Sequence, residues 1–223
     1  MSTQPRDPSD DEHRILRKDA EANRRRLLIA ARELFAERGL DVTLHDIAAR
    51  AGVGVGTAYR RFANKGEIMD ALFGLQVEEI SRLADEALAD SDPWRALVTY
   101  LEQVMTLQAK DRGLAQILSG RRIRTEQHDW SRSVIAPKVN AITARAKEAG
   151  VLRDDVEGTD LVFIQVGLNA IAERSREVSP ELYRRYLHLM LDSIRAHPDQ
   201  LDLPVSALTV DQTHAAMGLG PEV

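Results

Sequence analysis

Apolar residues recur at intervals of three and four along most of the chain, the spacing that lines one face of a helix. The first such stripe, Leu27, Ala31, Leu34, Phe35 and Ala36, ends at Gly39, a residue suited to a left-handed helix stop. Residues 1–20 hold Pro5, Pro8 and many charges, and read as a disordered arm. A second helix opens at Thr43-Leu44-His45-Asp46, where the threonine hydroxyl caps free backbone N–H groups and Asp46 completes a capping box. Leu44, Ile47 and Ala48 form its apolar face, and Ala51-Gly52-Val53-Gly54 turns the chain. In the next segment, Val55 to Phe62, Ala58 and Phe62 share one face while Thr57, Tyr59, Arg60 and Arg61 spread over the others. Asn64 and Glu67 repeat the capping pattern and open a long helix through Ile68, Leu72, Leu75, Ile80 and Leu83.

Longer helices follow. Asp92 caps one, with Pro93 at its first position and Leu97, Tyr100, Leu101, Val104, Met105 and Leu107 along it, up to a break at Arg112-Gly113. A short apolar piece (Leu114, Ile117, Leu118) runs to Gly120, and Arg121-Arg122-Ile123-Arg124 reads as an exposed connection. A helix from about Asp129 to Gly150 carries Val134, Ile135, Val139 and Ile142. Two more are predicted, from Glu157 to about Glu177 and from Pro180 to about Ala196, the second capped by Ser179. Pro198, Pro204, Gly218, Gly220 and Pro221 mark 197–223 as a loosely ordered tail. No segment alternates cleanly enough for a strand, so the predicted fold is all-α. It divides into an arm (1–20), a small head of short helices (21–66), a larger helical body (67–196) and the tail.

The 223 residues are 43% apolar and 29% charged, a balance that supports a packed core and excludes a disordered or collagen-like chain. With no cysteine there is no disulfide framework, thiolate zinc site or cysteine nucleophile. The first residues are acidic, and no uncharged apolar run approaches the ~18 residues of a membrane span, so a cytoplasmic protein without a membrane partner is expected. Net charge is −5, which taken whole argues against a nucleic-acid partner. The distribution reverses that inference: the stretch 22–66 carries +5 and the remainder −10, so the head alone is suited to a polyanion.

Two short helices joined by a glycine turn, the second with a small inner face and a polar outer face, form a helix-turn-helix, whose second helix enters the DNA major groove. The inner face must be apolar and small where the helices cross (Ile47, Ala48, Val53, Ala58, Phe62), and the outer face needs hydroxyls and guanidinium groups for phosphates and base edges. Catalysis finds no support. The six histidines are scattered without metal-ligand spacing, there is no phosphate-cradling loop or nucleophile elbow, and Gly52-Val53-Gly54-Val55-Gly56 lacks both the preceding strand and the GxGxxG spacing of a dinucleotide loop. No cofactor, metal or catalytic residue is expected.

The stretch from Leu28 to Leu72, with Ala30-Ala31-Arg32-Glu33-Leu34-Phe35, Gly39, Thr43 to Ala48, Ala51 to Phe62 and Asn64-Lys65-Gly66-Glu67, resembles the TetR family of bacterial transcriptional regulators. The rest matches in length, helical character and the turn Ala149-Gly150-Val151-Leu152. The resemblance implies a three-helix DNA-binding head, a helical ligand-binding and dimerisation body, and a homodimeric repressor relieved by a small molecule. It places Thr43, Tyr59 and Lys65 at phosphate-contacting positions, and Gly54, Val55, Gly56, Thr57 and Arg60 at groove-facing ones. One departure stands out. Gly54 and Val55 occupy positions where hydroxyl caps and polar readers are common, which reduces hydrogen-bonded base readout, although Val55 suits a thymine methyl and the glycines allow close backbone approach.

For the dimer seam, the stripes Leu161, Ile164, Leu168, Ile171 and Leu182, Tyr186, Leu189, Met190, Ile194 serve equally as seam or as the protomer's own core. For an effector of unknown identity, the candidates are Trp94, Tyr100, Met105, Gln108, Trp130, Phe163, Gln165 and Asn169, which favour a hydrophobic or aromatic molecule. Gln165 and Asn169, four apart on an apolar helix, need a polar partner if buried: a ligand, a second subunit or solvent. The alternative reading is a helical ligand-binding or interaction protein whose head has lost useful DNA affinity.

Overall fold

The computed structural model describes residues 8–110 and 131–217. Nine α-helices occur among the described residues: α1 (Pro8–Arg38), α2 (Leu44–Ala51), α3 (Val55–Arg61), α4 (Lys65–Ala89), α5 (Pro93–Lys110), α6 (Ala136–Glu148), α7 (Gly158–Ser175), α8 (Leu182–Ile194) and α9 (Val210–Ala216). A single 3-10 turn covers Gly39–Asp41 and a π turn, Ser131–Ile135, leads into α6. The expected all-α architecture is observed. The break at Arg112-Gly113, the apolar piece at 114–120, the basic connection at 121–124, the helix start at Asp129 and the candidate Trp130 all lie outside the described residues.

The chain forms two units divided within α4, residues 1–72 and 73–223. In the first, Leu27, Ala31, Leu34 and Phe35 of α1 are buried together with Ile47 and Ala48 of α2, Ala58 of α3 and Ile68 of α4. Val42 and Ile47, flanking the Thr43 cap at hydrophobic-staple positions, are both buried and set the entry angle of α2. Two expectations need correction. The segment 8–20 is helical rather than irregular: Pro8 stands at the first position of α1, where a missing N–H costs nothing, and neither glycine nor proline interrupts 9–38. The tail is also more ordered than expected, because Thr209 and Gln212 form a capping box that starts α9, with Thr213 buried.

In the second unit, α5 contributes Leu97, Tyr100, Leu101, Val104 and Met105 to a core completed by Val139 and Ile142 of α6, Leu161 and Leu168 of α7, and Tyr183, Leu187 and Leu191 of α8. Polar clasps fix the helices around it. Lys138 of α6 donates to Ser81 Oγ (2.8 Å) and pairs with Asp85 (2.6 Å) on α4, and Arg145 donates to the carbonyls of Leu88 (2.7 Å) and Asp90 (2.6 Å), satisfying the open end of α4. As expected, Asp92 caps α5, accepting from the amides of Trp94 and Arg95 at 3.0 Å each. Helix α8 starts at Leu182, two residues later than predicted, with Glu181 in place of Ser179 at the cap position and no side-chain cap, while the Ser179 amide donates to the Ser175 carbonyl (2.7 Å).

The segment after α8 returns to the body through Arg153 and Asp155. Arg153 Nη2 donates to the Leu201 carbonyl (2.9 Å), and Asp155 accepts from the Leu203 amide (2.8 Å). The Arg153 guanidinium first, and the Leu203 amide second, hold the Asp155 carboxyl at about 2, below its ordinary 3.8. A depressed carboxyl supports the folded form at every pH above its ordinary value, and that support disappears as pH falls from about 4 towards 2. Asp155→Asn is therefore expected to lower the thermal midpoint at pH 7, with the deficit relative to the parent shrinking below about pH 4. Thermal melts at pH 7 and pH 2.5 check this, and a deficit equal at both would remove Asp155 from the clasp.

Candidate nucleic-acid interface

The head positions α3 from both ends. Thr43 starts α2 with a complete capping box: its hydroxyl oxygen accepts from the Asp46 amide (3.1 Å), while the Thr43 amide and hydroxyl donate to the Asp46 carboxylate (2.9 and 2.6 Å). The hydroxyl and amide of Thr43 hold the Asp46 carboxyl below its ordinary value. Thr43 is thus engaged within α2, and a phosphate contact from its hydroxyl requires that proton to turn away from Asp46. Thr43→Ala is expected to cost about 1 kcal/mol, a thermal shift of about 2–4 °C for a chain of this size, whereas Thr43→Ser retains the parent's midpoint. An equal loss in both variants would assign Thr43 another role.

At the other end of α2, Gly52 adopts the left-handed conformation (φ 62°), and the Val53 amide closes back on the Ala48 carbonyl (3.0 Å). Beyond that turn the faces of α3 separate as the chemistry requires. Ala58 is fully buried, and Val53 and Phe62 on either side of the helix are buried, whereas Gly54, Val55, Gly56, Tyr59 and Arg60 are exposed and Thr57 is half-buried. Tyr59 keeps 53% of its surface open to solvent, so about half of the side chain is available to a partner.

Gly54 precedes α3 at its cap position without a side-chain cap, and its carbonyl accepts from the Thr57 and Ala58 amides (2.8 and 3.0 Å). Neither Gly54 nor Gly56 is required by the fold: both have ordinary φ, a Cβ at Gly56 would meet nothing within 4 Å, and one at Gly54 would meet Thr57 Oγ1 at a comfortable 3.8 Å.

Charge is sorted with equal selectivity. Arg50 forks onto Glu37 of α1 (3.0 and 2.7 Å) and reaches Glu33 (3.4 Å), and the bond from Arg50 lowers the Glu37 carboxyl. Arg61 pairs with Glu21 (3.3 Å), and the Arg24 guanidinium lies 5.9 Å from the centre of the Phe62 ring. These cations brace α1 against α2 and α3. Arg60 differs, since its hydrogen bond goes to the neutral Thr57 hydroxyl (3.1 Å), one turn back on the same face. The braces were missed in the sequence, although Glu33 and Glu37, four apart on one face of α1, signal a cation from a neighbouring helix. Lys65 is half-buried at the first position of α4, after the Asn64 cap, which accepts from the Glu67 amide (3.2 Å); Glu67 returns to the Ala63 amide (2.8 Å).

The profile of the bacterial regulatory proteins of the tetR family matches residues 27–72, the stretch that contains every head residue named above from α2 to α4. A second profile, the C-terminal domain of SbtR-like transcriptional regulators, matches residues 92–196. The chain belongs to the TetR family. The HTH-type transcriptional regulator YhgD of Bacillus subtilis is 38% identical over 87 residues, 36% of this chain and 46% of that protein. Shared stretches span about half the length of the first curated relatives, 46% and 50%. Among solved structures, a TetR transcription regulatory protein of Mycobacterium vanbaalenii is 29% identical with a TM-score of 0.59, covering 81% of this chain and 99% of that one. A TetR regulator of Streptomyces coelicolor is likewise 29% identical with a TM-score of 0.59, covering 78% of this chain and 99% of its own.

In the TetR-family body, the effector candidates that the structure describes have different surroundings. Gln108, Gln165 and Asn169 do converge: Asn169 donates to Gln108 Oε1 (2.6 Å), and Gln108 donates to Gln165 Oε1 (3.4 Å), bridging α5 and α7. Gln108 is thus the polar partner that Gln165 and Asn169 needed. Tyr100 and Met105 are core residues, and burial pushes the Tyr100 phenol above its ordinary value. Trp94 sits at the start of α5, its ring centre 5.1 Å from the Arg195 guanidinium. Phe163 faces outward with 38% of its surface exposed, because two residues along α7 rotate it about 200° from the buried Leu161.

The stripes divide as well. Leu161, Leu168 and Ile194 are in the protomer's core, while Tyr186 and Leu189 join Phe163 and Val166 as exposed apolar residues of α8 and α7. A groove of about 490 Å³ beside α4, α5 and α8 is lined by Glu79, Arg82, Glu102, Arg184 and His188, with Arg82 paired to Glu79 (2.6 Å) and His188 set 3.4 Å from Glu102. Among the described residues no group of three His, Asp or Glu is placed to hold a metal ion, and no helix is long and apolar enough to cross a membrane.

Proposed function

We propose that the chain represses transcription as a cytoplasmic homodimer that holds a pseudo-palindromic DNA operator with two α3 helices and releases it when a small apolar molecule binds the body. The observation that carries this reading is the outer face of α3. It presents two glycines the fold does not require and the exposed side chains of Val55, Tyr59 and Arg60, while Arg50 and Arg61 of the head are paired with carboxylates.

In this reading Arg60 meets guanine or phosphate, Thr57 steadies the guanidinium, and Val55 meets a thymine methyl. Gly54 and Gly56 admit the DNA backbone, and Tyr59, Lys65 and Thr43 meet phosphates. Such contacts position the head on any sequence, and two heads restore specificity that one short helix lacks. The apolar residues Phe163, Val166, Tyr186 and Leu189 supply the surface for the second copy. The Gln108, Gln165 and Asn169 amides provide the polar end of an otherwise apolar effector site. Release requires the effector to favour the arrangement that does not bind DNA, since equal affinity for both shifts nothing.

Selecting bound fragments from genomic DNA tests the reading. It predicts enrichment of inverted repeats with half-sites about 10 bp apart or a multiple of that; fragments enriched without an inverted repeat would contradict a symmetric dimer, and no enrichment at all would favour a body whose head is idle.

A further inference from the structure

Helix α1 begins well before the head it belongs to. From Lys18 to Arg26 no residue is buried, and Leu27 is the first buried position among the described residues. From Pro8 to Glu21 the helix runs about 20 Å at its ordinary rise. Helical turns with no buried face gain little from packing, and short lengths of such helix are marginal in water without a partner. Charge along this stretch is sorted. Asp10, Asp11 and Glu12 fall in or beside the first turn, where the helix dipole favours carboxylates, whereas residues 14–26 carry six cations against Asp19 and Glu21, a net charge of +4.

Two contacts fix which face of α1 meets the end of α3. Glu21 pairs with Arg61 in the last turn of α3 (3.3 Å), and Arg24 lies over the ring of Phe62, the residue that ends α3. Lys18 and Arg25, one turn before and one turn after Glu21, stand within about 60° of it around the helix. Both are exposed, and neither pairs with a carboxylate among the described residues. The face of α1 that carries them is thus continuous with the C-terminal end of α3.

We propose that Lys18 and Arg25 hold phosphates of the DNA strand beside the groove that α3 enters. The proposal deepens the reading of α3 as the DNA-facing helix and rests on it. Lysine brings a point charge and arginine a planar fork to phosphate oxygens, and neither contact reads a base, so the gain is the same on every duplex. Because Glu21 and Arg24 tie these turns to the end of α3, phosphates held by α1 also position the recognition helix.

Anisotropy titrations of the full chain with a mixed-sequence duplex of about three helical turns, across a salt series, test this. The double variant Lys18→Gln/Arg25→Gln leaves the Glu21 and Arg61 pair in place, and unchanged helix content by circular dichroism shows that it folds. Two contacts per head at roughly 0.9 each lower the salt slope of a dimer by about 3 to 4, so between roughly 50 and 200 mM salt the parent loses about 100-fold more affinity than the variant. Arg26→Gln, about 100° round the helix from Arg25 and bonded to Asn23, is expected to keep the parent's slope. A parent that binds, with an unchanged slope in the double variant, would overturn the proposal and leave the reading of α3 standing. An equal fall in Arg26→Gln would overturn it as well, by spreading the effect over the whole helix. A parent with no affinity for the duplex even at low salt would remove the reading of α3 and the proposal together.

Discussion

Replacing Gly56 by alanine is expected to stabilise the head and weaken its grip on DNA in the same molecule. Glycine within a helix costs roughly 0.5–1 kcal/mol relative to alanine, and a Cβ at Gly56 would meet nothing within 4 Å. Nothing in the fold opposes the substitution, so the thermal midpoint rises by about 1–4 °C. On the operator the same methyl group stands where the DNA backbone approaches the first turn of α3, and affinity falls about tenfold, equivalent to ~1.4 kcal/mol. The two signs together are diagnostic. Thermal melting and DNA titration of one preparation measure both, and a stabilised variant with undiminished affinity would place the outer face of α3 away from DNA.

The second large effect concerns Tyr59. Its side chain keeps 53% of its surface exposed, so Tyr59→Ala removes a half-buried side chain and costs about 1 kcal/mol of stability, which leaves the head folded. The larger loss falls on binding, about tenfold on every duplex, because a phosphate contact carries no sequence information. Tyrosine is neutral, so the salt dependence stays that of the parent, whereas Lys65→Ala lowers the salt slope by about one per head. Arg60→Ala is expected to change base preference. DNA titrations of the three variants at two salt concentrations separate these outcomes, and three unchanged affinities would remove α3 and the start of α4 from the interface.

The head was more legible in the sequence than the body, for a physical reason. Thr43 and Asp46, Gly52, and the contrast between Ala58 and Tyr59 are local rules: a cap, a left-handed stop and a helical face each declare themselves within four residues. The braces from Arg50 to Glu37 and from Arg61 to Glu21 join positions 13 and 40 residues apart, and no local pattern fixes such a pairing. In the body, helix periodicity identified buried faces but not what each face meets. Leu161 and Phe163 both read as apolar residues of one helix, yet one is core and the other is exposed. Proline and charge at the two ends were overvalued as signs of disorder. Pro8 starts a helix, and the Thr209 and Gln212 capping box that nucleates α9 follows the same rule that located α2.

If two heads of a dimer grip DNA through the outer face of α3, binding is both selective and salt-dependent. Fluorescence anisotropy with the duplex flanking the protein's own gene, against a shuffled duplex across a salt series, tests it most directly. The expected result is selective binding whose logarithmic affinity falls linearly with the logarithm of salt, with a slope of at least about −2, from Lys65 of each of two heads at roughly 0.9 per phosphate contact. A slope near zero, with equal affinity for both duplexes, would contradict it.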